Sequence, residues 1–284
     1  MPFAKAPSVR LRRIGSALRK AREENGLTIE TACRRYGRSK SWLSTLENGL
    51  HSIDPQELAD LLDFYGVPAG PLRESLLHLA NHDRGKQWVR AYEGRISAAA
   101  LDLASLEGDS ERICNFEPNV IPGLLQSEAY AHALMRAGLR SPTRNNTELV
   151  RFRMQRQRVL GKSDPPSLEV VIGEAALRQQ VGGSLTMGGQ LQRLIEVSST
   201  GLTGLRVLPF SANTHLGIAG PFHILSLRSP GRLTVTVVED FTQSTFVEDE
   251  TTVAAYKRIF TYFQGAALDE ASSLQLLKEI ASET

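Results

Sequence analysis

Residues 18–49, LRKAREENGLTIETACRRYGRSKSWLSTLENG, constrain the fold of this 284-residue chain more than any other stretch, because their punctuation forces short helices into a tight unit. Leu11, Ile14, Leu18 and Ala21 recur at helical spacing, and Gly26 ends that first helix. Thr28 can cap a short second helix that ends near Tyr36. Gly37 then supplies a tight turn, and Ser39 can cap a third helix running to Asn48. Two helices this short bury little on their own. Such a unit is well suited to laying its second helix in the major groove of DNA.

The third helix has two faces. At about 100° per residue, Leu43 and Leu46 point toward the first two helices, while Ser41, Ser44, Thr45 and Asn48 occupy the opposite arc. Lys40 and Trp42 flank that arc. Hydroxyls can read several base edges, and Lys40 can reach guanine acceptors or a phosphate. The expected base-facing set is therefore Lys40, Ser41, Trp42, Ser44 and Thr45. The expected phosphate contacts are Thr28, Arg38, Ser39 and Asn48. The bland alternative, a merely solvated polar face, leaves the distribution of charge unexplained. The first forty residues hold eleven basic side chains and three acidic ones, and the remainder holds 22 and 28. A net charge of +2 thus hides a basic head on an acidic body. A local excess of that size attracts phosphates and makes binding salt-dependent. Arg10, Arg12 and Arg13 read either as a backbone-contacting arm or as a solvated terminus.

This segment resembles the xenobiotic-response-element type of helix-turn-helix, the family that includes phage repressors. The resemblance rests on Arg22 four residues before Gly26 and on Glu47-Asn48-Gly49 at the end of the third helix. It implies that Arg22 and Glu47 form an ion pair locking the first helix to the third, and that Asn48 touches a phosphate. One departure stands out. The family's second helix begins Ser-Gln, whereas Thr28-Ile29 stands here, so a backbone clamp is lost or passes to the helix's own amides.

Cys33 falls where the family has a small residue at the crossing of the second and third helices, and packing explains it. With Cys114 far away, two cysteines make no disulfide framework. No apolar leader follows the N-terminus, and no run approaches the ~20 apolar residues that span a bilayer. A cytoplasmic location and no membrane association are expected. The length calls for two domains. Asp54-Pro55 starts a fourth helix carrying Leu58, Leu61, Leu62 and Tyr65, and a fifth runs from about Pro71 to His82. The expected organisation is a five-helix, all-α DNA-binding domain over 1–67, a connector helix over 68–87 and a larger domain over 88–284. His78 and His82, spaced i, i+4, lack a third ligand nearby and read as solvated.

The larger part mixes helical stretches (97–107, 127–138, 143–161, 174–181, 186–198, 250–263 and 272–280) with β-rich runs at 168–172, 205–208, 222–227 and 233–238. The last two runs flank Ser-Pro-Gly and read as a hairpin. The fold class expected is α+β with a small sheet. Asn119-Val-Ile-Pro-Gly-Leu-Leu-Gln126 with Ser127-Glu-Ala-Tyr130, then Arg151 to Gln157, Gly173-Glu174-Ala175, Gln190-Leu191, Val207 to Phe210 and His215 to Phe222 resemble an uncharacterised domain. That domain follows this helix-turn-helix type in actinomycete regulators described as antitoxin-like. The resemblance implies a small partner protein encoded nearby, without specifying chemistry. Leu124, Leu125 and Tyr130 are candidate contacts for it, with core packing as the alternative.

No Walker loop, GxSxG or HExxH is present, and no enzyme, cofactor or metal is expected. His215, His223, Glu239 and Asp240 make a site only if the fold brings them together. The functional expectation is a sequence-specific transcription regulator that binds double-stranded DNA as a homodimer, since one small head with few base-reading groups needs a second half-site. Its larger domain would bind a small protein or a small-molecule effector. The alternative is an antitoxin that neutralises a small partner and autoregulates its operon.

Overall fold

The computed structural model describes residues 7–83, 87–137, 146–201, 203–212, 220–239 and 244–284. The chain divides into two compact units, residues 1–109 with 227–233, and 110–226 with 234–284. The division lies beyond the boundaries expected at 67 and 88.

The first unit carries α1 (Val9–Glu24), α2 (Ile29–Tyr36), α3 (Lys40–Glu47), α4 (Pro55–Phe64), α5 (Pro71–Asp83), the single turn α6 (Gln87–Arg90) and α7 (Ala98–Asp109). Its capping follows the sequence closely. Ser8, Thr28, Ser39 and Asp54 each accept a hydrogen bond from a backbone amide of the first turn. Gly37, at φ 78°, closes α2 in the left-handed region. Ile14, Leu18, Ala32, Leu43, Leu46, Leu58, Leu61 and Leu62 form the buried core.

Two expectations fail here. The fifth helix is not a connector: Leu76, Leu79 and Ala80 are buried, and α5 packs on α1 and α4. Nor is Arg10 part of an arm. It is 2 % exposed and donates to Ser105 Oγ at 2.8 Å and to Asp109 Oδ2 at 2.7 Å, so its charge is spent joining α1 to α7. An arginine at the start of α1 gave no hint of its partners, because α7 lies almost a hundred residues on.

The second unit holds a six-stranded mixed sheet, ordered β3-β2-β1-β4-β5-β6, as the expected α+β class requires. The strands are β1 (Ser110–Glu117), β2 (Ser167–Gly173), β3 (Thr203–Leu208), β4 (Phe222–Leu227), β5 (Thr234–Glu239) and β6 (Ser244–Val247). β1, β2 and β3 pair in parallel, and β4, β5 and β6 are antiparallel. Its helices are α8 (Glu128–Ala137), α9 (Asn146–Gln157), α10 (Glu174–Arg178), α11 (Ser184–Ser199), α12 (Glu250–Ala266) and α13 (Glu270–Glu283). One sheet face carries Cys114, Phe116, Val171, Leu208, Phe222 and Ile224, which cluster with Phe260 and Phe263 of α12. Phe116 stacks on Phe263 with ring centroids 4.3 Å apart. Strand alternation therefore turns Asn115, Glu117, His223, Val237 and Glu239 to the opposite face.

Candidate nucleic-acid interface

An ion pair and a close backbone approach fix α3 against α1. Glu47, 4 % exposed, accepts from Arg22 Nε at 2.6 Å and from Arg22 Nη2 at 2.9 Å, a two-pronged contact between α3 and α1. The remaining Arg22 nitrogen donates to Leu27 O at 2.7 Å, so one guanidinium also fixes the turn into α2. The hydrogen bond to Glu47 raises the Arg22 pKa against the opposing effect of burial. Gly15 permits the helices to come this close: a Cβ there would lie 2.5 Å from Leu46 O and 2.6 Å from Glu47 O. Gly15 was passed over in the sequence, although an isolated glycine inside an apolar helical pattern is itself a packing signal. Cys33 is buried and its Sγ donates to Ser39 O at 3.4 Å. Burial pushes its thiol upward, and Cys114 is pushed up to about 11 by burial. Raised thiols inside a core are packing groups.

On the outer arc of α3 the expected readers differ in what they have free. Lys40 and Ser41 are exposed, and neither side chain has a recorded partner among the described residues. Ser44 is half-buried. Thr45, also half-buried, already places its hydroxyl against Ser41 O at 3.0 Å and Trp42 O at 2.9 Å. Trp42 stacks on Tyr36, rings 6.2 Å apart, and the Arg38 guanidinium lies over the Trp42 ring, 5.3 Å from its centroid. Arg38 also pairs with Glu57. The hydroxyls of Thr28 and Ser39 serve as caps, accepting from Thr31 N and Trp42 N at 3.1 Å each. Asn48 donates to Ser44 O at 2.8 Å and accepts from Arg19 at 2.7 Å. Arg34 and Arg35, on the exposed side of α2, make no ion pair among the described residues and join Lys40 as available cations. Neither arginine was singled out in the sequence beyond the charge count.

In the second unit, the Pro122–Gln126 corner is a fully bonded structure. Gln157 Nε2 donates to Gly123 O at 2.9 Å and Gln126 O at 2.8 Å. Gln190 donates to Leu125 O at 3.0 Å and accepts from Ser127 N at 2.6 Å. Tyr130 Oη accepts from Ile121 N at 3.2 Å. Leu124, Leu125 and Tyr130 are all buried. As surface contacts for a partner these three are corrected: they are the packed interior of the corner. The glutamines exist to satisfy the backbone of a turn that has left regular structure.

His223 and Glu239 do converge, and Glu117 joins them; His215 and Asp240 lie outside the described residues. His223 Nε2 is 3.5 Å from Glu239 Oε2 and 3.9 Å from Glu117 Oε1. Burial pushes Glu117 up to about 7, although the charge of His223 opposes the shift. Burial would raise Glu239 too, but its hydrogen bond and attraction to His223 draw it down to about 2. The side chain of His82 also falls outside the described set, so the expected i, i+4 pair has no geometry here.

Two family models match. Residues 13–76 match one described as "Helix-turn-helix domain". Residues 100–279, more than half of the chain, match one described as "Domain of unknown function (DUF5753)". The chain belongs to the DUF5753 family. No curated protein and no solved structure matches it. The helix-turn-helix ahead of the DUF5753 region supports a DNA-binding transcription regulator. Among the described residues, no helix is long and apolar enough to cross a membrane.

Proposed function

We propose that this DUF5753 protein is a sequence-specific transcription regulator of the xenobiotic-response-element type, acting in the cytoplasm and binding double-stranded DNA as a homodimer through α3. The observation that carries this reading is the outer face of the head. Lys40 and Ser41 are exposed in the first turn of α3, a helix held on α1 by the Arg22–Glu47 pair, and Arg34 and Arg35 of α2 are exposed cations with no ion pair among the described residues. A groove-reading helix needs a fixed orientation, a few polar groups at its N-terminal end and flanking positive charge. The DUF5753 unit has a non-enzymatic role in this reading, receiving a small protein encoded nearby or a small effector that alters DNA affinity.

Genomic selection of bound fragments by the full-length protein, followed by footprinting at several salt concentrations, tests the proposal. A palindromic site with half-sites about 34 Å apart is expected. Binding with no preference over random duplex at any salt concentration would overturn it.

A further inference from the structure

The cluster at the ends of β1, β4 and β5 is a chemistry that the DNA-binding reading does not use. Three neighbouring strands each contribute one side chain to the same face: Glu117 from β1, His223 from β4 and Glu239 from β5. Each offers one ligand atom, and the three atoms all lie within 4.8 Å of one another. Glu117 and His223 are buried, and the Glu239 side chain is 38 % exposed. A cation about 2.0–2.2 Å from each ligand sets neighbouring donor atoms roughly 3–3.5 Å apart. The His223–Glu239 separation of 3.5 Å already meets that requirement, and the His223–Glu117 separation of 3.9 Å needs a small contraction.

We propose that Glu117, His223 and Glu239 form a binding site for a single divalent first-row transition ion. One imidazole nitrogen with carboxylate oxygens suits Mn²⁺, Fe²⁺ or Zn²⁺. The nitrogen disfavours Mg²⁺ and Ca²⁺, and the absence of sulfur disfavours Cu⁺. Surrounding groups hold the ligands in place. Ser244 Oγ donates to Glu239 Oε1 at 3.2 Å, Asn115 hydrogen-bonds Glu117, and Asn115 Nδ2 is itself fixed to Phe222 O at 3.2 Å. Such outer partners orient ligands in metal sites. Arg153 and Arg156 of α9 add positive potential near Glu117 and Glu239 respectively, which lowers affinity without removing a ligand. Because β1, β4 and β5 are adjacent, an ion here ties together the parallel and antiparallel halves of the sheet.

The test uses the full-length chain stripped with a chelator and titrated with Co²⁺, whose visible bands report coordination, and with Zn²⁺ in competition. The expected result is one equivalent per chain, with Co²⁺ bands of four- to six-coordinate N/O ligation displaced by Zn²⁺. Glu117→Gln imitates the uncharged carboxyl and should fold, as checked by circular dichroism, while weakening Co²⁺ at least about tenfold. Glu239→Gln, at the half-exposed ligand, is the second variant, with the same loss expected. Folded wild-type protein that takes up no ion, or folded variants that bind as tightly as wild type, would overturn the proposal. Neither outcome depends on DNA binding, so a failure here leaves the regulator reading standing.

Discussion

At the scale of single residues, Glu47 is held twice and Arg22 three times, which makes their removal unequal. Glu47→Ala leaves Arg22 with Leu27 O and Glu23, whereas Arg22→Ala leaves a buried carboxylate whose next cation is Arg19, at 3.5 Å. Arg22→Ala should lose about 3–5 kcal/mol of stability, because a buried carboxylate loses its main partner, and Glu47→Ala should lose less. The double variant should lose less than the sum, with a coupling above about 1 kcal/mol in chemical denaturation. Additive losses would mean the two side chains act independently. Tyr65 offers the opposite case. Its hydroxyl is buried with no hydrogen bond among the described residues, and burial with the charge of Glu47 raises its pKa. Tyr65→Phe should therefore raise stability by about 1 kcal/mol; a loss of that size would reveal a partner for the hydroxyl. The Arg22–Glu47 pair was legible in the sequence through its resemblance. The Tyr65 hydroxyl was not, since an apolar stripe says nothing about where a ring's polar tip ends.

At the scale of elements, local signals were read well and distant ones poorly. Caps at Thr28, Ser39 and Asp54, the turn at Gly37 and the break at Gly26 depend on neighbours within four residues, and α1 to α4 begin or end close to where those signals lie. β1 was missed because Asn115 and Glu117 interrupt its apolar run, and these polar groups are buried for reasons lying on β4 and β5. β6 has only four residues. The corner at Leu124, Leu125 and Tyr130 was misread for the same reason: its glutamine anchors come from α9 and α11. The structure also ranks the readers on α3. Lys40 makes no ion pair among the described residues, while the Thr45 hydroxyl proton is directed to its own helix. Lys40→Ala should weaken specific binding by about 1–3 kcal/mol, and Thr45→Ala by less than half of that, both in folded protein. Equal or reversed losses in quantitative footprinting would show that Thr45 turns outward on DNA.

At the scale of the whole molecule, the basic head on an acidic body is a real property of the chain, but the count of eleven early cations overstates what DNA can meet. Arg10 is spent on Asp109, Arg22 on Glu47, and Arg19 on Glu47 and Asn48. Lys20 sits near Glu24, and Arg38 pairs with Glu57. Arg13, Arg34, Arg35 and Lys40 remain without an ion pair among the described residues. Each cation that neutralises a phosphate contributes about 0.9 to the slope of log affinity against log salt. Arg34→Ser with Arg35→Ser should therefore flatten that slope by up to about 2 if both side chains meet phosphates, with no loss of thermal stability. Arg10→Gln should do the reverse: its charge is already neutralised inside the unit, so the slope stays and the melting temperature falls. Measuring both variants on the same operator across a range of salt separates charge that reads DNA from charge that holds the fold. A slope unchanged by loss of Arg34 and Arg35 would move the phosphate contacts away from α2.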